Sequence, residues 1–338
     1  MDNIDFVIPW VDGSDSQWLK EKQKYSCNTS ADASVARYRD WDLLRYWFRG
    51  VEKFAPWVNK IHFITYGHIP NWLNTEHNKL NIVLHEDYIP NKYLPTFSAN
   101  TIELNLHRIM GLSEKFVYFN DDFFLIAPVI KSDFFKGELP VDTAALTAHC
   151  FKYSYIGSHF AISDVGLIND EFDFRGIIKR DLRKWLSIKY GFRLSLQTLC
   201  LMLAPRFPGF WQHHLPQPYS KKTFAEVWER FPEELDETCI HKFRSRYDVN
   251  QWLIREWNIC KGEFKPRNYK FGKSFKIQQD DFTGLNEIAM YIKKQKGKCI
   301  AINDNEMSED MFNKASEIVK ISFQSILGEK SKFEKEGK

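Results

Sequence analysis

The sequence predicts an α/β domain built on a largely parallel sheet covered by helices. Three observations predict it. Short apolar runs alternate with longer amphipathic ones from the N-terminus to about Leu125, the pattern of strands joined by crossover helices. Acidic residues follow successive apolar runs, where an open α/β sheet places its ligand crevice. The chain has 338 residues, 43% hydrophobic and 27% charged, enough to bury a core without disulfide or metal staples.

Each element has its own justification. Ile4 to Val11 reads as a buried strand. Asp40 to Phe54 puts Leu43, Leu44, Trp47, Phe48, Val51 and Phe54 on one stripe at helical spacing, and a second strand is expected from Ile61 to Tyr66. A third strand fits Asn81 to His85. Ser98 is placed to cap a helix carrying Ile102, Leu106 and Ile109, and Phe116 to Asn120 reads as the fourth strand. From about Tyr153 to Gln212 the pattern becomes basic, aromatic and apolar: Lys179, Arg180, Arg183, Lys184, Trp185, Lys189, Tyr190 and Arg193, then Leu194 to Leu203. This reads as a helical insertion, with either a solvated basic face or a role at a membrane surface. Phe224 to Phe231 and Val249 to Trp257 read as helices, and the alternating Lys and Glu of 329–338 as a frayed end. The expected division is a first part of the core at 1–150, the insertion at 151–212, a second part of the core at 213–306, and a C-terminal helix with a charged tail at 307–338.

Composition narrows the function. Lys and Arg total 47 against 44 Asp and Glu, a net charge of +3, which argues against a nucleic-acid partner because phosphate backbones are held by concentrated positive charge. No apolar run approaches the ~20 residues of a spanning helix. Aromatic residues make up 16% of the chain, rings that fill a core or stack on bases and sugars. The six cysteines are scattered, with no Cys-x-x-Cys pair, so free thiols rather than a zinc site are expected. No basic and apolar leader precedes Ile4, so a cytoplasmic location is expected and the Asn28-Thr29-Ser30 sequon is read as accidental.

Several groups carry candidate chemistry. Asp12 and Asp15 follow the first predicted strand, Glu86 and Asp87 the third, and Asp121 and Asp122 the fourth. Acids gathered at one sheet edge repel unless a cation lies among them, so an oxygen-ligated Mg2+ or Mn2+ beside a diphosphate is expected. Asn120-Asp121-Asp122 suits that role, although paired acids after a strand also serve as turn caps. Glu103 and His107 are four residues apart on the predicted helix, followed by Arg108; they form either an oriented acid–imidazole pair or a surface pair. Arg37, Arg39, Arg45 and Arg49 offer fork-shaped donors for phosphate or merely solvate a helix. In His213-His214-Leu215-Pro216-Gln217-Pro218 the prolines hold the backbone extended and fix the imidazoles in a site or on a rigid surface loop. His241-Lys242-Phe243-Arg244-Ser245-Arg246-Tyr247-Asp248 is rich in phosphate-binding donors. Ile302-Asn303-Asp304-Asn305 is compatible with a metal and equally with a turn.

Four of these blocks in this order resemble the Stealth family of sugar-phosphate transferases. They are Ile4-Asp5-Phe6-Val7-Ile8-Pro9-Trp10-Val11-Asp12-Gly13-Ser14-Asp15; Arg39-Asp40 through Pro70-Asn71-Trp72-Leu73 and Leu94-Pro95-Thr96-Phe97-Ser98-Ala99-Asn100 to Asn120-Asp121-Asp122; His214-Leu215-Pro216 through Phe231-Pro232-Glu233-Glu234 to His241-Lys242-Phe243-Arg244; and Ile302-Asn303-Asp304-Asn305. The resemblance implies a GT-A-like nucleotide-sugar-binding sheet. It implies transfer of a sugar 1-phosphate from a nucleotide-diphosphate sugar to a hydroxyl of an acceptor glycan, with a nucleoside monophosphate released. The short chain suits a bacterial glycan enzyme. The family's catalytic positions fall on Glu103, Asp122, His214 and Arg244, with His214 or Asp122 taking the hydroxyl proton. Asp12, Arg39, Asn100, Arg108, His241 and Asp248 are expected to bind substrate, and Asp121, Asp122 and Asn305 to hold Mg2+ or Mn2+. The partners expected are a nucleotide-sugar donor and a glycan acceptor, with peripheral attachment to the inner membrane face through the basic insertion as the alternative to a solvated basic face. A conventional glycosyltransferase releasing a nucleoside diphosphate is the alternative enzyme, and a non-catalytic carbohydrate-binding module the alternative from another class.

Overall fold

The computed structural model of the protein describes residues 3–26, 41–150, 153, 155–278, 281–303 and 307–336. Arg37, Arg39, Asp40, the 28–30 sequon, Asp304 and Asn305 lie outside the described residues.

The central sheet contains β1 (Ile4–Pro9), β2 (Ile61–Thr65), β3 (Leu80–Leu84), β4 (Lys115–Tyr118) and β8 (Gln217–Ser220) in the order β3-β2-β1-β4-β8. The first four strands run parallel, and β8 closes one edge antiparallel to β4. Helices cover both faces, so the middle strands are buried on both sides and largely apolar; Asp5 of β1 departs from this and contacts His62 Nε2 of β2 at 3.1 Å. Ile4, Phe6 and Ile8 of β1 face one core with Trp47 and Phe48 of α2 (Leu44–Phe54), while Val7 faces the opposite core with Leu104, Phe116 and Phe224. α1 (Ser16–Ser26) follows β1, and Asp15 accepts a hydrogen bond from the Trp18 N–H at its start, 2.7 Å.

A second sheet is built from β5 (Phe123–Leu125), β11 (Cys299–Asn303) and β10 (Gly272–Lys276), with β11 between the other two. A third small sheet joins β6 (Phe135–Lys136), β7 (Leu139–Asp142) and β9 (Lys265–Pro266). Between β7 and β8 the chain forms α4 (Ile156–Glu171), α5 (Phe174–Trp185) and α6 (Phe192–Leu201). After β8 come α7 (Lys221–Arg230), α8 (Pro232–Ile240) and α9 (Trp252–Lys261), and α4 packs on α9. α10 (Phe282–Lys293) and α11 (Glu309–Ile326) complete the layer that packs with α2.

The structure departs from three sequence expectations. The helix after Ser98 is short: α3 (Ala99–Leu104) gives way to a 3-10 turn at Leu106–Arg108. The shared Glu103–His107 face is therefore lost; His107 stacks on Phe224, with centroids 5.6 Å apart. The C-terminal segment is not frayed, because Phe333 is buried in the α2 core and Glu334 forms a β-bridge with Leu73. Arg49 is not free for phosphate either. Its guanidinium donates to both Glu334 carboxylate oxygens, at 2.7 and 2.8 Å, and to the Leu327 carbonyl at 3.0 Å. Arg45 lies over the Trp72 ring. The charge alternation read as a frayed end therefore conceals a buried ion pair.

Candidate active site

The site assembles where β4 ends and β8 begins. Because β8 is antiparallel to β4, Tyr118 pairs with Gln217, and the chain just before β8, carrying His213 and His214, returns to the edge from which Asn120, Asp121 and Asp122 emerge. β11 reaches the same edge: the Ile302 N–H donates to the Asp122 carbonyl, 3.0 Å. These elements line a cleft of about 1040 Å3, together with Asn100, Glu103 and Arg244. This volume is at the upper end of small-molecule sites and suits a ligand larger than one monosaccharide.

His214 and Asp122 are in direct contact, with Nε2 to Oδ2 at 3.1 Å. Burial works against a charged imidazole, but the Asp122 charge and hydrogen bond, with help from Glu103, hold His214 above its ordinary value of 6.5. With Nε2–H committed to Asp122, Nδ1 is left as the proton acceptor. The Phe123 ring meets the imidazole edge-on at 4.7 Å and fixes its plane. Glu103 is buried at the floor of the cleft and accepts a hydrogen bond from the Tyr118 hydroxyl, 2.8 Å. Burial raises its carboxyl above the usual range, although Arg244, the Tyr118 bond and His214 all pull the other way.

Arg244 reaches the cleft from a loop organised by Asp248. The Asp248 carboxylate is fully buried, contacts His241 Nδ1 at 2.7 Å, and accepts from Asn100 Nδ2 at 3.1 Å and the Ser245 N–H at 2.8 Å. The loop is also tied to the core, since the Phe97 N–H donates to the Lys242 carbonyl. Arg244 itself has no hydrogen bond or ion pair among the described residues. A half-buried guanidinium with free donors, facing a cleft, is suited to a phosphate or carboxylate.

Of the residues read from the sequence, Glu103, Asn100, His214 and Arg244 line the cleft, and Asp122 joins them through His214. His241 and Asp248 support the Arg244 loop rather than lining it. Asp12 is spent locally: it accepts from the Ser14 N–H and hydroxyl at 2.9 and 2.6 Å. Asp87 likewise caps its own turn by accepting from the Leu84 N–H. Arg108 lies over the Trp228 ring, in a separate shallow depression with Tyr93 and Asp236. Residues not singled out in the sequence also enter the site: Tyr118, Gln251, Ser274 and Lys276 line the cleft. A phenol at the end of an apolar strand was the available signal for Tyr118; the others stand in unremarkable sequence.

Asp122 Oδ1 is buried without a hydrogen-bond partner among the described residues, and Asp121 stands next to it, so hard oxygen donors are available at this point. Among the described residues, no group of three or more His, Cys, Asp and Glu could hold a metal ion.

Three family models match the chain: Stealth protein conserved region 1 at residues 2–30, region 2 at 37–141 and region 3 at 213–257. A capsular polysaccharide phosphotransferase, WcwK of Streptococcus pneumoniae, is 42% identical over 99% of both chains. The chain belongs to the Stealth family. A receptor polysaccharide phosphotransferase, WefC of Streptococcus gordonii, is 40% identical over 99% of both. Among solved structures, the galactosyltransferase LgtC in complex with donor and acceptor sugar analogues aligns over 95% of this chain and 96% of its own, at 10% identity and a TM-score of 0.40. This Stealth chain is an enzyme, a phosphotransferase with an α/β fold. Among its described residues, no helix is long and apolar enough to cross a membrane.

Proposed function

We propose that this Stealth enzyme transfers a sugar 1-phosphate, an N-acetylhexosamine or hexose 1-phosphate, from a nucleotide-diphosphate sugar to a hydroxyl of an acceptor glycan. The observation that carries the reading is one cleft lined by Arg244, whose guanidinium has no hydrogen bond or ion pair among the described residues, by the Asp122-oriented imidazole of His214, and by the buried carboxyl of Glu103. Phosphoryl transfer needs little covalent help; it needs positioning, charge neutralisation and a proton acceptor. The relatives named as polysaccharide phosphotransferases support the same class of reaction.

The acceptor hydroxyl donates its proton to His214 Nδ1 while its oxygen attacks the phosphorus that bears the sugar. The new bond makes a phosphodiester, the phosphoanhydride bond breaks, and the nucleoside monophosphate leaves with the bonding electrons. Asp122 holds the imidazole and stabilises the imidazolium that forms. Arg244 binds the transferred phosphate in a bidentate fork, and Glu103 orients the acceptor through its hydroxyls. Asp121 and Asp122, with Asn305, would hold Mg2+ or Mn2+, which would supply charge neutralisation to the diphosphate.

The test is incubation with a panel of nucleotide sugars, a glycan acceptor and Mg2+. Released nucleoside monophosphate and a phosphodiester signal by phosphorus NMR are expected. Release of nucleoside diphosphate, with no phosphorus in the glycan product, would instead make the chain a conventional glycosyltransferase.

A further inference from the structure

The outward face of α6 carries an apolar row that none of the described residues covers. Phe192, Leu196, Leu199 and Leu203 recur at helical spacing, the last in the turn after α6, and are 83, 47, 52 and 85% exposed. Ile188, in the turn before the helix, is 95% exposed. The opposite face is fastened to the body: Gln197 Nε2 donates to the Leu146 carbonyl at 2.9 Å, the Leu146 N–H donates to Thr198 Oγ1 at 3.1 Å, and Leu201 packs on the core. A helix that turns its polar groups inward and its leucines outward has the reverse of ordinary surface amphipathicity, and an apolar row of this kind marks an interaction site.

Charge selects the partner. Between Leu182 and Ala225 there is no Asp or Glu, while Arg183, Lys184, Lys189, Arg193, Arg206, Lys221 and Lys222 are all basic. Lys189, Arg193 and Arg206 are exposed close to the row in sequence. Two copies meeting through this face would bring like charges together, whereas an anionic lipid surface supplies both the apolar depth and the opposite charge. A ten-residue helix is too short to span and suited to lie in the interface. The same helix also walls the cleft, through Gly191, Phe192, Arg193, Leu194 and Gln197.

We propose that α6 is an interfacial helix whose row of Phe192, Leu196, Leu199 and Leu203 embeds in an anionic bilayer, setting the mouth of the cleft at the membrane plane. Delivery of a lipid-carried glycan to that mouth rests on the transferase reading above; the binding to lipid does not.

The experiment is flotation of the full chain with phosphatidylcholine vesicles, with and without phosphatidylglycerol, beside transfer to a short water-soluble acceptor. The chain is expected to float with the phosphatidylglycerol vesicles and to be released by high salt. L196S/L199S/L203S should lower the bound fraction more than about tenfold, with melting temperature and soluble transfer unchanged. Absent flotation of the native chain, or equal flotation of the triple variant, overturns the proposal. So does a native dimer that the triple variant converts to monomer, which would assign the face to a second copy. Failure of soluble transfer in the native chain would strike the transferase reading and leave the vesicle result standing.

Discussion

In the proposed reaction His214 is the proton acceptor, and its contacts make that role testable. Replacing it by Ala should lower kcat by about 10^2 to 10^4, with the donor Kd in calorimetry changing only a few-fold; undiminished turnover would remove its role. The pH dependence has a defined sign. Asp122 raises the imidazole's pKa above the ordinary 6.5 against the pull of burial, so the base form accumulates only above that raised pKa, and kcat/KM should climb as pH passes through it. Asp122→Asn should move that acid limb to lower pH as well as reducing the rate; an unmoved limb in the variant's pH profile would mean that another group is titrating. For stability the raised folded value acts oppositely: the contribution is complete below about 6.5 and fades as pH rises through the folded pKa. Arg244→Lys should weaken donor binding despite keeping the charge, because a point ammonium cannot form the bidentate fork.

Elements explain why those groups meet. The parallel strands and the helix stripe of Leu44, Trp47, Phe48 and Val51 were legible because periodicity and burial agree there. The Asn120-Asp121-Asp122 and His213-His214 motifs were also legible, each sitting beside a strand end. Their pairing was not, since nothing local to either segment states that β8 runs antiparallel to β4. The role of Asp248 was equally hidden: the pattern His241 to Asp248 reads as a set of phosphate donors, yet Asp248 is the buried acceptor around which the loop turns. Asp248→Ala should therefore cost about 1–3 kcal/mol in chemical denaturation, and transfer should fall with it because Arg244 loses its seat. Normal activity in a variant destabilised to that extent would separate the loop from catalysis.

At the scale of the molecule, the chain end is structural. Arg49 and Glu334 are both largely buried and form two hydrogen bonds across the α2 core. Removing one partner of such a pair leaves an uncompensated charge, so Glu334→Ala should lose about 3 kcal/mol or more in urea unfolding. Burial raises the Glu334 carboxyl, but the bonds from Arg49 and Ser331 win and hold it below 4.5. The pair's contribution is thus present at neutral pH and disappears as pH falls through that lowered value. A stability equal to the native chain's in that variant would mean that the segment is held by Phe333 alone.

The antiparallel seam between β4 and β8 also sets when the enzyme can first act during its own synthesis. The His214–Asp122 contact joins residues 92 apart, and β11, which meets Asp122, is later still. A ribosome-bound chain therefore at first carries Asp121 and Asp122 without His214 beside them, and the candidate site is complete only once the last third of the polypeptide has emerged and β11 has paired.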